Sequence, residues 1–178
     1  GEPGVRPTVL VGSIFYRGHR IVEDELKGVF DKVEAERLIN LQQEFSDKTG
    51  NPCMLDVVGS TAEALTKFVE FAADVSDAPI LLDGTSTEVR LTALSNLKEK
   101  GLTGRLIYNT VPSDPQKEEL EGLKSFSVRT AVLLACPTLG FTSEARVEEA
   151  KKLLSTVAEA GVEQLLIDVC ILDIPTLG

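Results

Sequence analysis

Six short apolar runs alternate with five stretches of helical periodicity along the chain, and this alternation restricts the fold more than any other feature. Parallel strands need a crossover between them, and the crossover is usually a helix, so the pattern predicts a parallel α/β sheet. The third run, Pro79 to Ser86, reads Pro-Ile-Leu-Leu-Asp-Gly-Thr-Ser, an apolar strand closing on a carboxylate, a glycine and hydroxyls. A strand apolar on both faces is covered on both sides. In such sheets ligands bind beyond the carboxyl ends of the strands. Asp83 therefore falls where chemistry is usually done, with capping of the next turn as the plain alternative.

In chain order, Thr8 to Phe15 is β-branched and apolar and predicts the first strand, and Tyr16 to Phe30 reads as a polar, glycine-punctuated loop. Asp31 and Glu34 form a capping pair for a helix that ends at Gly50, with Val33, Leu38, Ile39, Leu41 and Phe45 on one broad face. Cys53 to Val58 is the second strand. Ser60 with Glu63 opens a helix carrying Leu65, Phe68, Val69 and Ala72 inward. After the third strand, Thr85 with Glu88 starts a helix bearing Val89, Leu91, Leu94 and Leu97, which ends at Gly101. Arg105 to Val111 is the fourth strand. Asp114 reads as an N-cap with Pro115 at the first helical position, ahead of Leu120 and Leu123. Thr130 to Cys136 is the fifth strand, 137–142 a loop, and Ser143 to Ala160 a helix with Val147, Ala150, Leu154 and Val157 on one side. Gln164 to Cys170 is the sixth strand.

Composition bounds the function. The 178 residues suffice for one sizeable core, and no apolar run approaches the roughly 18 residues of a membrane helix, so no direct membrane insertion is expected. A formal charge of -10 repels phosphate backbones and disfavours nucleic acid as a partner. Cys53, Cys136 and Cys170 are few, odd in number and set in apolar runs, which reads as reduced packing residues, and no metal site is expected. No basic segment followed by an apolar one opens the sequence, so a secretory signal is not expected and a cytoplasmic location is.

Two architectures fit the alternation. A doubly wound sheet uses about six strands, whereas a (β/α)8 TIM barrel needs eight and about 250 residues. Against the open sheet, Val11-Gly12-Ser13-Ile14-Phe15 lacks the Gly-x-Gly-x-x-Gly fingerprint after the first strand. The sequence also stops at Leu172-Asp-Ile-Pro-Thr-Leu-Gly178, where a sixth crossover helix should begin. The expectation is one partial barrel domain over residues 1–178, with strands seven and eight missing.

Three strands end in groups suited to a polar heterocycle: Asp83 on the third, Asn109 on the fourth and Asp168 on the sixth. A carboxylate accepts two hydrogen bonds in a fork, matching the adjacent N–H donors of a pterin's amino-pyrimidinone edge. Asparagine both donates and accepts, which suits a ring edge where the two alternate.

At these residues the sequence resembles a known family. The stretches Thr8-Val-Leu-Val-Gly-Ser-Ile-Phe-Tyr-Arg-Gly-His-Arg-Ile-Val22, Gly50-Asn-Pro-Cys-Met-Leu-Asp-Val-Val-Gly59 and Leu82-Asp-Gly-Thr-Ser86 resemble the family of tetrahydromethanopterin S-methyltransferase H subunits. The resemblance extends to bacterial methyltetrahydrofolate homologues and, more distantly, to the pterin-binding barrels that include dihydropteroate synthase. It implies a (β/α)8 barrel of the pterin-binding type, present here as an incomplete barrel of about six strands. It also implies a methyltransferase of one-carbon metabolism and methanogenesis that moves the N5 methyl group of a methyl-tetrahydropterin, tetrahydromethanopterin or tetrahydrofolate, to or from cobalt. The cobalamin or corrinoid is carried by a separate corrinoid protein, and a homodimer or association with a membrane complex is the assembly to expect. By the same resemblance Asp83, Asn109 and Asp168 bind the substrate, and Asn109 and Asp168 are the catalytic candidates. Full-length members continue through two further strands that contribute to the site.

N5 of a methylated pterin leaves poorly until it is protonated or strongly hydrogen-bonded, so the protein is expected to act by positioning and electrostatics. His19, the only histidine, is either a surface loop residue or a mouth contact to substrate or corrinoid partner. Asp56 in the second strand is expected to make a structural hydrogen bond. Alternatives are a non-catalytic pterin or corrinoid-protein binding module, and a dihydropteroate synthase-like enzyme. The latter wants a basic pocket for its pyrophosphate leaving group, and no cation follows Asp83 before Arg90.

Overall fold

The computed structural model describes residues 4–137, 140 and 142–171. The C-terminal segment 172–178, and part of the 137–142 loop, lie outside the described residues. By internal contacts the chain divides into two compact units, Gly1–Ile107 and Tyr108–Gly178.

In the first unit, β1 (Leu10–Ile14), β4 (Cys53–Gly59) and β5 (Ile80–Gly84) pair in parallel and in chain order, with Ser13 opposite Asp56 and Val58 opposite Asp83. Helices α1 (Lys32–Thr49), α2 (Ala62–Val75) and α3 (Thr87–Glu99) follow β1's excursion, β4 and β5 in turn. α2 buries Leu65, Phe68, Val69 and Ala72, the four residues its periodicity predicts. Gly59 sets the close approach between β4 and α2, since a Cβ there would lie 2.7 Å from the Cα of Leu65.

The 16–30 segment is more ordered than a loop. β2 (Val22–Asp24) and β3 (Val29–Phe30) form an antiparallel hairpin whose strands are too short for a period of two to register. The Asp24 carboxylate accepts from the N–H groups of Leu26 and Lys27, both at 3.0 Å, to make the turn. Gly28 closes it at φ +65, with a Cβ excluded by Ala64 Cα at 2.9 Å. The hairpin delivers Phe30 to Phe15, Phe68 and Phe71; Phe15 and Phe68 stack at 4.4 Å while Phe30 meets the others edge-on.

Several caps slip by a residue or two. Asp31 caps α1 as expected, accepting from Glu34 N–H at 3.0 Å, and Gly50 ends it at φ +72. The cap of α2 is Thr61 rather than Ser60, and that of α3 is Ser86 rather than Thr85. Adjacent hydroxyl residues compete for each cap, and the one next to the first helical residue takes it; the Thr85 hydroxyl donates instead to Ser60 O at 3.2 Å. α1 also buries a narrower stripe than expected. Ala35 and Ile39 are buried, whereas Val33 is 80% and Phe45 56% exposed and Leu41 also faces outward.

In the second unit, β6 (Leu106–Val111), β7 (Thr130–Leu134) and β8 (Gln164–Asp168) are again parallel and in chain order. β8 ends at Asp168, two residues before the expected end. α4 (Lys117–Ser125) starts after Gln116, whose side chain makes no cap bond, so Asp114 is not the N-cap and Pro115 precedes the helix. Glu118 and Glu119 in the first turn favour that start through the helix dipole. α5 (Ser143–Glu159) buries Leu153 and Val157, while Val147 is 51% exposed and Leu154 also reaches solvent, so its inward stripe is rotated from the expected one.

Candidate functional site

The parallel register brings two carboxylates, Asp56 in the middle of β4 and Asp83 near the end of β5, onto one face. Side chains alternate across a strand, so Asp56 and Val58 share a face, and Asp83, opposite Val58, shares it too. Ser13 enters from β1, and its hydroxyl donates to Asp56 Oδ2 at 2.6 Å, a charge-assisted distance. This is the structural bond expected of Asp56, which is buried.

Asp83 is half-buried at the end of β5, and burial, reinforced by the Asp56 carboxylate, pushes its carboxyl up to about 6. Arg90 opposes the shift without cancelling it. That arginine is itself buried in the first turns of α3, donating to Gly84 O at 2.8 Å and to Thr87 Oγ1 at 3.3 Å. Gly84 makes room for it, because a Cβ there would lie 2.7 Å from Arg90 Cγ. Neither Ser13 nor Arg90 stands out as a functional residue in the sequence. The signal for Ser13 was its parity with Asp56 across neighbouring strands, which needs the register to be seen.

Asn109 and Asp168 belong to the second unit; Asp168 stands at the carboxyl end of β8, whereas β6 runs on through Thr110 and Val111, so Asn109 lies within its strand rather than at the expected end. Asn109 is half-buried as the fourth residue of β6, beside Thr110, whose hydroxyl donates to Val132 O at 2.8 Å. Asp168 is exposed as the last residue of β8, and its Oδ1 accepts from Cys170 N–H at 2.8 Å. A capping role is therefore present at Asp168.

His19 has a local partner. Its Nδ1 accepts from Phe15 N–H at 3.2 Å, and its ring stacks on Tyr16 at 4.6 Å. Burial, helped by Arg20, holds its pKa below the ordinary 6.5, which suits a neutral acceptor. It borders a cavity of about 200 Å³ that also touches Ile14, Leu38, Ile39 and Gln42, between β1 and α1. Ser13, the hydrogen-bond partner of Asp56, also lines that cavity, while Asp56 and Asp83 do not. Among the described residues no group of three or more His, Cys, Asp or Glu side chains is arranged to hold a metal ion. No helix among them is long and apolar enough to cross a membrane.

Comparison with known proteins bears on the fold and the family. The chain superposes on dihydropteroate synthase from Xanthomonas albilineans with a TM-score of 0.55, over 92% of this chain and 59% of that one, at 18% identity. A likeness at that identity speaks to the fold, which is the α/β barrel of the dihydropteroate synthase type. The tetrahydromethanopterin S-methyltransferase H subunit of Methanothermobacter thermautotrophicus is 42% identical over 96% of this chain and 58% of its own length. The corresponding proteins of Methanopyrus kandleri and Methanocaldococcus jannaschii are 39% and 38% identical over 94% and 96% of this chain, and 55% and 56% of theirs. The chain thus spans a little over half the length of these relatives. The model of the tetrahydromethanopterin S-methyltransferase MtrH subunit family matches residues 1–178, and to that family the chain belongs.

Proposed function

We propose that the protein of which this chain forms part binds a methyl-tetrahydropterin and passes its N5 methyl group to or from the cobalt of a corrinoid protein. The observation that carries the reading is Asp83, a carboxyl at a strand end whose proton affinity is raised by burial and by Asp56. Such a group lacks solvation it would have in water, and two adjacent N–H donors of an amino-pyrimidinone ring would restore it in the ionised form. Asn109, within β6, and Asp168, at the end of β8, are the further residues proposed to bind the pterin.

In this reading the chain's residues bind and orient the pterin, while the corrinoid protein brings the methyl acceptor. When the N5–CH3 bond breaks, its electron pair stays on N5, so a donor aimed at N5 lowers the barrier. The amide of Asn109 is the group assigned to that contact. The relatives' names carry tetrahydromethanopterin, which makes it the substrate proposed first, with tetrahydrofolate as its competitor. The corrinoid protein and a cytoplasmic location are part of the same proposal.

Single-turnover assays with the full-length protein, cob(I)alamin and each methyl-pterin test it. Methylcobalamin formation from methyl-tetrahydromethanopterin, faster than from methyltetrahydrofolate, is the expected result. Transfer from neither, with a folded protein, overturns the reading.

A further inference from the structure

We propose that Cys136 and Cys170 form a reversible disulfide that closes the turn following Asp168. This inference goes beyond pterin binding and does not rest on it. β7 and β8 pair with Leu134 opposite Asp168, and Ala135 N–H continues the ladder to Asp168 O at 2.8 Å. Cys136 and Cys170 follow two residues beyond that last strand pair. Neighbouring strands run about 4.8 Å apart, inside the window of about 4.4–6.8 Å that disulfide Cα atoms span.

The side chains use that proximity. The two sulfurs lie 2.7 Å apart, both as free thiols, where a covalent bond would need about 2.05 Å. Both side chains are half-buried rather than sealed in the core, so a small oxidant has access to them. Arg146 Nη2 donates to Cys170 O at 3.4 Å, and Cys170 N–H donates to Asp168 Oδ1, so the segment is already held against the strand end. The contact with Cys170, then burial and the Asp168 charge, push the Cys136 thiol above its ordinary value.

The step is exchange with a small disulfide. One of the two cysteine thiolates attacks one sulfur of the oxidant, forming a mixed disulfide and releasing one small thiol. The other thiolate then attacks the protein sulfur of that mixed disulfide and releases the second. In sum, two protein thiols lose two electrons and two protons, and one small disulfide becomes two thiols. The expectation of reduced packing cysteines describes the starting state, and disulfides of reducing compartments are mostly of this reversible, redox-responsive kind.

Peptide mapping of the full-length protein, equilibrated in glutathione buffers from fully reduced to fully oxidised and alkylated without reduction, tests the proposal. The expected result is a cross-linked pair of peptides containing Cys136 and Cys170, two hydrogens lighter than their sum, which dithiothreitol removes. Cys53, in the other unit with its thiol donating to Gln43 Oε1 at 3.8 Å, should stay outside the cross-link. In Cys136→Ser, Cys170 should instead accumulate a stable glutathione adduct. Amide exchange at residues 169–171 should slow in the oxidised form. Free thiols throughout, or separate glutathione adducts on both cysteines of the wild-type protein, would overturn it.

Discussion

The Ser13 hydroxyl donates to Asp56 at 2.6 Å across the β1–β4 ladder, and Asp56 in turn raises the proton affinity of Asp83. Three residues on three strands thus form one electrostatic unit. Asp56→Asn removes the like charge facing Asp83, so the Asp83 carboxyl should titrate lower, towards its ordinary 3.8. Carboxyl-carbon NMR of the full-length protein reads this directly; an unmoved Asp83 would separate the two groups. Ser13→Ala should cost about 1–3 kcal/mol in stability, since it strips a donor from a buried carboxylate.

Asp83 should also make stability depend on pH. Its folded-state pKa of about 6 lies above its ordinary 3.8, so the folded chain holds the proton more tightly than the unfolded one. The contribution is complete at acid pH and is lost as pH rises through about 6. Asp83→Asn cannot ionise. It should melt higher than wild type at pH 7.5 and show its smallest difference below pH 4, in thermal denaturation followed by circular dichroism. A variant less stable than wild type at pH 7.5 would contradict this.

Arg105 ends α2 in place of a glycine cap. Its guanidinium donates to the carbonyls of Ala73 at 3.1 Å, Ala78 at 2.9 Å and Ser76, while the last turn of α2 carries no basic residue of its own. Arg105→Ala should lower unfolding free energy by about 1.5–3 kcal/mol, the range for lost charged hydrogen bonds. Arg105→Lys should recover little, because a point charge does not reach three carbonyls at once. Urea denaturation midpoints at constant m-value measure both.

Much of this was legible in the sequence and some was not, for physical reasons. The strands and most helices declared themselves because their apolar periods run over several turns, as in α2, where all four predicted core residues are buried. The β2–β3 hairpin was invisible because two- and three-residue strands have no period, and its stability comes from distant partners of Phe30. α5 misled by rotation: Leu153 and Leu154 are adjacent, and only packing decides that Leu153 is the buried one. Within the candidate site, Asp83 was readable from a strand that ends in a carboxylate. Ser13 and Arg90 were not, because register and the return of a helix side chain to its own strand end place them.

The second unit has a buried polar pair of its own. Glu119 is fully buried on α4, and Tyr108 donates its hydroxyl to Glu119 Oε1 at 2.6 Å. Tyr108→Phe keeps the ring and deletes the bond, so it should destabilise by about 1–3 kcal/mol, the cost of taking a partner from a buried polar group. A chemical denaturation curve coincident with wild type would show that the hydroxyl contributes nothing.

The most direct test of the central proposal is titration of methyl-tetrahydromethanopterin into the full-length protein and its Asp83→Asn variant across pH 5 to 8. Because the ionised carboxylate is the acceptor and its pKa is about 6, wild-type affinity should strengthen as pH rises through 6 and then level. The variant should bind more than about tenfold more weakly at pH 7.5, a loss above 1.4 kcal/mol, with a flat pH profile. Equal affinity of the two proteins at pH 7.5, with both folded, would remove Asp83 from the pterin site.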